Sequence, residues 1–396
     1  MKLVTDFECG NGKDIRKVGE RHFSVTEVGD RETYCYYFCF DLVAERPEDA
    51  GDVTVDVLGD PALKVPTVPN TGTRGLMEHT PCTIWVARWD EFHPLPGSRV
   101  EYLDDRIRMK LKLPADGTLR VTNVIPAYYT ETVVFLKGCA ARMPKDAEYI
   151  EIGKSNEGRP IPGIRITEGL KGRGRTRFVA FSGEHPIEFP GVFGTRGIAD
   201  FLTSPLAEAA AIRKKYDVVV LPLVSPDGTF HGRNNFNGKG EEVYSAYENA
   251  SDGTRPKVTE SRAVWDFLQK PAPALALNIH CYCGLGSFVE WPYNGMYVLR
   301  DEAFRDEKQK RAQRIIDEHV RLRTNGLTGH RRPNQMTAVG LGHQLALKHG
   351  TFAVLYEINA ATHGPTGAGR EGVSCFKAMI EGYETARQKA EGRMRK

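Results

Sequence analysis

Phe178-Val179-Ala180-Phe181-Ser182-Gly183-Glu184-His185-Pro186-Ile187-Glu188-Phe189-Pro190 decides how the chain is read. A short apolar run closed by Ser-Gly has the length and composition of a strand buried on both faces. A histidine and a glutamate three residues apart follow at once, and Pro186 suits the first turn of a helix. On such a turn His185 and Glu188 share one face. The stretch predicts a buried strand that empties into a loop carrying two side chains able to hold a metal ion.

Three later segments repeat the scheme. Val218-Val219-Val220-Leu221-Pro222-Leu223-Val224 leads into the turn Ser225-Pro226-Asp227-Gly228. Ala274-Leu275-Ala276-Leu277-Asn278-Ile279 ends in His280, and Thr351-Phe352-Ala353-Val354-Leu355-Tyr356 ends in Glu357. Helical patterns over 130–137, 192–202, 260–268, 307–323 and 379–391 alternate with these runs and with strands at 149–153 and 164–167. Buried strands alternating with helices predict an open α/β sheet, mixed but mostly parallel and flanked by helices. Ligands of such sheets sit outside the carboxyl ends of the strands, where these polar residues converge. A catalytic zinc takes three protein ligands and leaves a fourth position open. His185, Glu188 and His280 form such a set for one Zn2+ per chain. The bland alternatives are a satisfied buried histidine at 280 and an ion-paired carboxylate at 357.

Residues 1–124 read differently. Tyr34-Cys35-Tyr36-Tyr37-Phe38-Cys39-Phe40 is aromatic and strand-forming, and Asp52-Val53-Thr54-Val55-Asp56-Val57 alternates with period two. Thr83-Ile84-Trp85-Val86-Ala87 and Arg106-Ile107-Arg108-Met109-Lys110-Leu111-Lys112-Leu113 continue the pattern. Short strands at this spacing predict an antiparallel β-sandwich. The expected organisation is a sandwich over 1–124 and an α/β catalytic domain over 125–396.

A net charge of +3 over 396 residues gives no case for a nucleic-acid partner. No apolar run reaches the roughly 20 residues of a membrane span, and the N-terminus lacks a signal-peptide core. Eight scattered cysteines fit free thiols in a reducing compartment. These features point to a cytoplasmic protein without a membrane partner.

The motifs resemble those of the M14 family of zinc carboxypeptidases. That family has a His-x-x-Glu, a later His, a Pro-Asp-Gly turn and a catalytic Glu near the end of the domain. These correspond here to His185 and Glu188, His280, Pro226-Asp227-Gly228 and Glu357. The finer resemblance is to the cytosolic carboxypeptidases, which carry a sandwich before the catalytic domain. Pro126-Ala127-Tyr128-Tyr129-Thr130 is similar to their junction. Gly153-Lys154-Ser155-Asn156-Glu157-Gly158-Arg159 is similar to their Gly-x-Ser-x-x-Gly-Arg strand entry. His185-Pro186-Ile187-Glu188 is one residue from their His-Pro-Gly-Glu.

The resemblance implies hydrolysis of a peptide or amide bond by zinc-activated water, with Glu357 as general base and Arg233 facing the oxyanion. It also implies an Asn-Arg pair that grips the substrate's terminal carboxylate, and here the chain departs from the pattern. Gly240-Glu241-Glu242-Val243 stands in its place. Arg233, Asn235, Glu241 and Glu242 are the candidate substrate-binding residues, with Arg255, Arg331 and Arg332 as possible substitutes for the missing arginine. The departure leaves room for a second reading, a zinc amidohydrolase or deacylase acting on a small molecule or modified amino acid. A third is a binding protein with a dead α/β domain, against which the complete metal set argues.

Overall fold

The computed structural model describes residues 1–30, 37–60, 82–88, 91–115, 117–170, 174–282, 294–323, 328–333 and 338–392, with the backbone alone at 282 and 328–333. Among the described residues ten strands precede the first α-helix. They are β1 (Lys2–Val4), β2 (Lys13–Gly19), β3 (His22–Thr26), β4 (Cys39–Val43), β5 (Gly51–Leu58), β6 (Trp85–Arg88), β7 (Glu91–Pro94), β8 (Val100–Tyr102), β9 (Arg106–Leu113) and β10 (Thr118–Thr122).

These strands form two five-stranded sheets, ordered β1-β4-β10-β6-β7 and β2-β3-β5-β9-β8. The alternation over Arg106–Leu113 works as its period demands: Ile107, Met109, Leu111 and Leu113 are buried and Lys110 and Lys112 exposed. They join Val53, Val55 and Val57 of β5, Phe40 and Leu42 of β4, and Leu119 and Val121 of β10 in one apolar core. The expected all-antiparallel pairing needs one correction. β3 and β5 run parallel, His22 opposite Thr54 through Thr26 opposite Leu58. The aromatic run yields a strand only from Cys39, and residues 34–36 lie outside the described residues.

The rest of the chain gives α1 (Tyr129–Arg142), β11 (Ala147–Lys154), β12 (Pro160–Ile166), β13 (Thr176–Ser182), α2 (Phe189–Leu202), α3 (Ala207–Lys215) and β14 (Tyr216–Leu221). There follow α4 (Pro226–Phe230), α5 (Thr259–Leu268), β15 (Leu275–Tyr282), β16 (Asn294–Val298), α6 (Glu307–Arg323) and β17 (Thr328–Pro333). The last elements are α7 (Leu341–His349), β18 (Phe352–Asn359) and α8 (Pro365–Ala390).

One eight-stranded sheet results, ordered β11-β12-β14-β13-β15-β18-β16-β17. Its centre, β14-β13-β15-β18, is parallel; β11, β12 and β16 pair antiparallel with their inner neighbours. Leu136 of α1, Ile198 of α2, Ile316 of α6 and Phe376 of α8 fill one face. Val264 and Trp265 of α5 and Leu341 and Leu345 of α7 fill the other. Each such side chain, fully buried, contributes about 1.5–3 kcal/mol.

Helix α8 starts fourteen residues before the helix expected at 379–391. Gly367, Gly369 and Gly372 disguise its first half, since each weakens a helix by about 1 kcal/mol. Packing explains Gly372. A Cβ on Gly372 would stand 2.3 Å from the Gly194 carbonyl oxygen of α2, so the two helices meet backbone to backbone.

Candidate metal centre

The centre is assembled where the parallel strands end. β13 stops at Ser182, and Gly183 turns the chain with φ +70, a conformation that favours glycine. A Cβ there would also lie 3.0 Å from the Pro222 oxygen. Residues 184–188 form a turn closed by the Glu188 N–H donating to the His185 carbonyl (3.2 Å). Glu188 then caps α2, with proline at its second position. The predicted shared face of His185 and Glu188 is thus met by a tight turn just before the helix.

β15 lies beside β13 and delivers His280; β18 lies beside β15 and sets Glu357 directly opposite His280. His185 Nδ1 is 2.8 Å from Glu188 Oε1, and His280 Nδ1 is 2.6 Å from Glu188 Oε2. Ligand atoms of these three residues all lie within 4.8 Å of one another, and all three side chains are buried. The backbone N–H of Cys281 also donates to Glu188 Oε2 (3.2 Å).

Electrostatics describe a trap for positive charge. Burial opposes ionisation of Glu188, yet the facing His280 and His185 hold its carboxyl down to about 2. Burial likewise opposes charge on His280, but Glu188 and Glu184 hold its pKa well above the usual imidazole range. Glu357 goes the other way: burial first, then repulsion from Glu188, push it up to about 8 against the pull of His280. Its Oε2 is buried without a hydrogen-bond partner. Two imidazoles and a carboxylate around one point, attracting a cation, fit a zinc ion with an open coordination position.

Three residues of the centre carried no sequence expectation. Glu184, fully buried, accepts from Asn278 Nδ2 (2.7 Å) and sits 3.2 Å from His280 Nε2. Asn278 and His280 are two apart on β15 and so share a face, a signal present in the apolar run. Tyr244 lays its ring 5.4 Å from that of His185 and 5.3 Å from that of His280.

The remaining candidates scatter. Arg233 pairs with Asp30 from the N-terminal part (3.6 Å) and lines a cleft with Asn11, Val28, Glu157 and His231. Asn235 is buried, its backbone N–H donating to Asp30 (2.7 Å). Glu241 is held by the side-chain amides of Asn237 (3.2 Å) and Asn156 (3.5 Å). Glu242 does reach the centre, its Oε1 4.0 Å from His185 Nε2, while its Oε2 accepts from Ser245. Arg255 pairs with Asp266 at the surface, and the side chains of Arg331 and Arg332 lie outside the described residues. Cys281, beside His280 on β15, joins an apolar cluster with Ile187 and Phe189.

Two sequence motifs turn out to be one network. Asp227, fully buried, accepts from Ser155 Oγ (2.6 Å), the Glu157 backbone N–H (2.9 Å) and Arg159 Nη1 (2.8 Å). The short helix α4 then abuts the 184–188 turn, Thr229 Oγ1 donating to the Pro186 carbonyl (3.2 Å). Behind the same loop stands the N-terminal part: the Tyr37 ring meets Phe189 edge-on at 5.6 Å. Asn11 Nδ2 donates to the Gly232 carbonyl (2.9 Å).

Comparison with known proteins finds carboxypeptidases by sequence and by fold. Residues 132–241 match the family model described as zinc carboxypeptidase. Metallocarboxypeptidase A of Trichophyton tonsurans is 31% identical over 25% of this chain and 24% of its own length. Cytosolic carboxypeptidase 1 of Xenopus laevis is 24% identical over 27% of this chain and 9% of its own. A protein of Ajellomyces capsulatus named an inactive metallocarboxypeptidase is 28% identical over 27% of this chain. The matched stretch therefore spans at most about a quarter of these relatives. The fold match is nearly complete: a metallo-carboxypeptidase from Burkholderia cenocepacia superposes with a TM-score of 0.79 at 14% identity, covering 97% of this chain and 99% of that one. One from Pseudomonas aeruginosa, solved with (2-guanidinoethylmercapto)succinic acid, gives 0.77 at 17% identity over 97% and 100%.

Proposed function

We propose that this chain, which has the zinc-carboxypeptidase fold throughout and matches that family over residues 132–241, is a zinc-dependent hydrolase of a peptide or amide bond, in the first place a metallocarboxypeptidase. The observation that carries the reading is the convergence of His185, Glu188 and His280 with Glu357 in register beside His280. His185, Glu188 and His280 would hold one zinc, which when bound supplies a Lewis acid and lowers the pKa of water toward about 7.

Glu357 supplies the proton chemistry. Its free Oε2, with a proton affinity raised by burial into the working range of a general base, takes a proton from the attacking water. As the C–N bond of the substrate breaks, the same carboxyl gives that proton to the leaving amine. Arg233 is assigned to the oxyanion, a role that requires its guanidinium to leave Asp30. Substrate contacts are assigned to Arg233, Asn235, Glu241 and Glu242. A cytoplasmic location belongs to the same reading. Six described cysteines are free thiols, and no described helix is long and apolar enough to cross a membrane.

One observation favours the second reading, an amidohydrolase or deacylase. Glu242 occupies the stretch expected to carry the carboxylate clamp and stands next to a metal ligand, with its side chain 29% exposed. A terminal carboxylate brought there meets like charge. Paired peptides with free and amidated C-termini separate the readings. At least tenfold faster release from the free form is the carboxypeptidase result; equal cleavage of both forms, or preference for the amide, establishes the amidohydrolase. Metal analysis accompanies it: about one zinc per chain is expected, with activity lost to a chelator and regained with zinc. A metal-free protein that cleaves neither form overturns both readings.

A further inference from the structure

Glu184 has no part in the reaction as described, yet it is fully buried against a metal ligand. We propose that Glu184 is a positioning residue that fixes His280 as a ligand through Nδ1. The inference rests on the reading of His185, Glu188 and His280 as the zinc set.

The two nitrogens of His280 face opposite tasks. Nδ1 stands 2.6 Å from Glu188, on the side where the three donor sets meet. Nε2 stands 3.2 Å from Glu184 Oε2, away from that point. A neutral imidazole carries one N–H, and an ionised carboxylate only accepts. Glu184 therefore draws the hydrogen to Nε2 and leaves the Nδ1 lone pair for the cation. Asn278, on the same face of β15 as His280, donates to the same oxygen (2.7 Å) and holds the carboxylate in place. The turn at Gly183 makes this possible, since it lets consecutive residues serve the two imidazoles: His185 as one ligand, Glu184 as support for the other.

His185 is not supported in this way. Its Nε2 has no hydrogen-bond partner, and Glu242 is 4.0 Å off, beyond hydrogen-bond distance. The centre thus has one clamped imidazole and one loosely backed one. Glu184 also brings a buried carboxylate that contacts an imidazole, an amide and the Tyr247 hydroxyl, so a divalent cation nearby offsets a charge that burial otherwise penalises.

The test is the zinc affinity of the metal-stripped full chain, by competition with a chromophoric chelator. Glu184→Ala is expected to bind zinc about 10–100-fold more weakly than the parent. Glu184→Gln, whose amide oxygen still accepts from Nε2–H, should fall between the two. A purely structural role predicts lower thermal stability of the stripped protein with zinc affinity unchanged in both variants, and that result overturns the proposal. If the Ala variant does not fold, the Gln variant decides. Parental zinc affinity together with a parental visible spectrum of its cobalt form overturns the proposal. A parent that binds no zinc sinks instead the metal reading on which the inference rests.

Discussion

Glu357→Gln is expected to keep its zinc and lose about 10²–10⁴-fold in kcat, the usual share of a positioned general base. The substitution is nearly isosteric, and the metal set of His185, Glu188 and His280 does not include it. What disappears is the proton acceptor: an amide at position 357 of β18 cannot take the proton from water and return it to the amine. KM should move little, because the loss falls on the transition state. Folding should not suffer either, since burial already resists a charge at this position and Gln carries none. His185→Ala is the contrasting variant, expected to lose the ion itself. Zinc content by metal analysis and kcat on the cleaved peptide check both. A Gln variant that turns over at the parental rate ends the assignment of Glu357.

The convergence of His185, Glu188, His280 and Glu357 was legible in the sequence because of how parallel sheets end. Each buried strand reads as an apolar run, so a charged or imidazole side chain near its carboxyl end stands out, and neighbouring strands bring such positions together. Hence His280 and Glu357 could be named before their register was known. Glu184 was hidden by its neighbour: beside His185, one more acid in a loop looks like solvent-facing charge, and only the turn at Gly183 reveals that it points inward. The first half of α8 was hidden for another reason. Its glycines contradict local helix propensity, and Gly372 makes sense only against α2, a tertiary contact that no window of sequence contains. The parallel pairing of β3 with β5 is equally non-local, since period-two alternation is the same in both directions. The substrate side stayed least legible because it depends on long loops, where Arg233 is drawn to Asp30, some two hundred residues earlier in the chain.

Asp227→Ala is expected to cost about 3 kcal/mol of folding stability, because two sequence motifs meet at this carboxylate. Removing one member of a buried, hydrogen-bonded charge pair costs about 3–5 kcal/mol, because the partner is left uncompensated. Arg159 retains 20% side-chain exposure and a second acid, Glu157, which places the loss at the lower end. Three donors lose their acceptor together: Ser155 Oγ, the Glu157 N–H and Arg159 Nη1. Because α4 bears on the 184–188 turn at Pro186, the loss should also reach the proposed centre as weaker zinc binding, although Asp227 is not one of its three residues. Urea unfolding followed by circular dichroism reads the first effect as a lowered midpoint with an unchanged slope. Chelator competition reads the second. Arg159→Met separates the contributions: it leaves the carboxylate with two donors, so a loss as large as that of Asp227→Ala would place the energy in the ion pair alone and contradict the network.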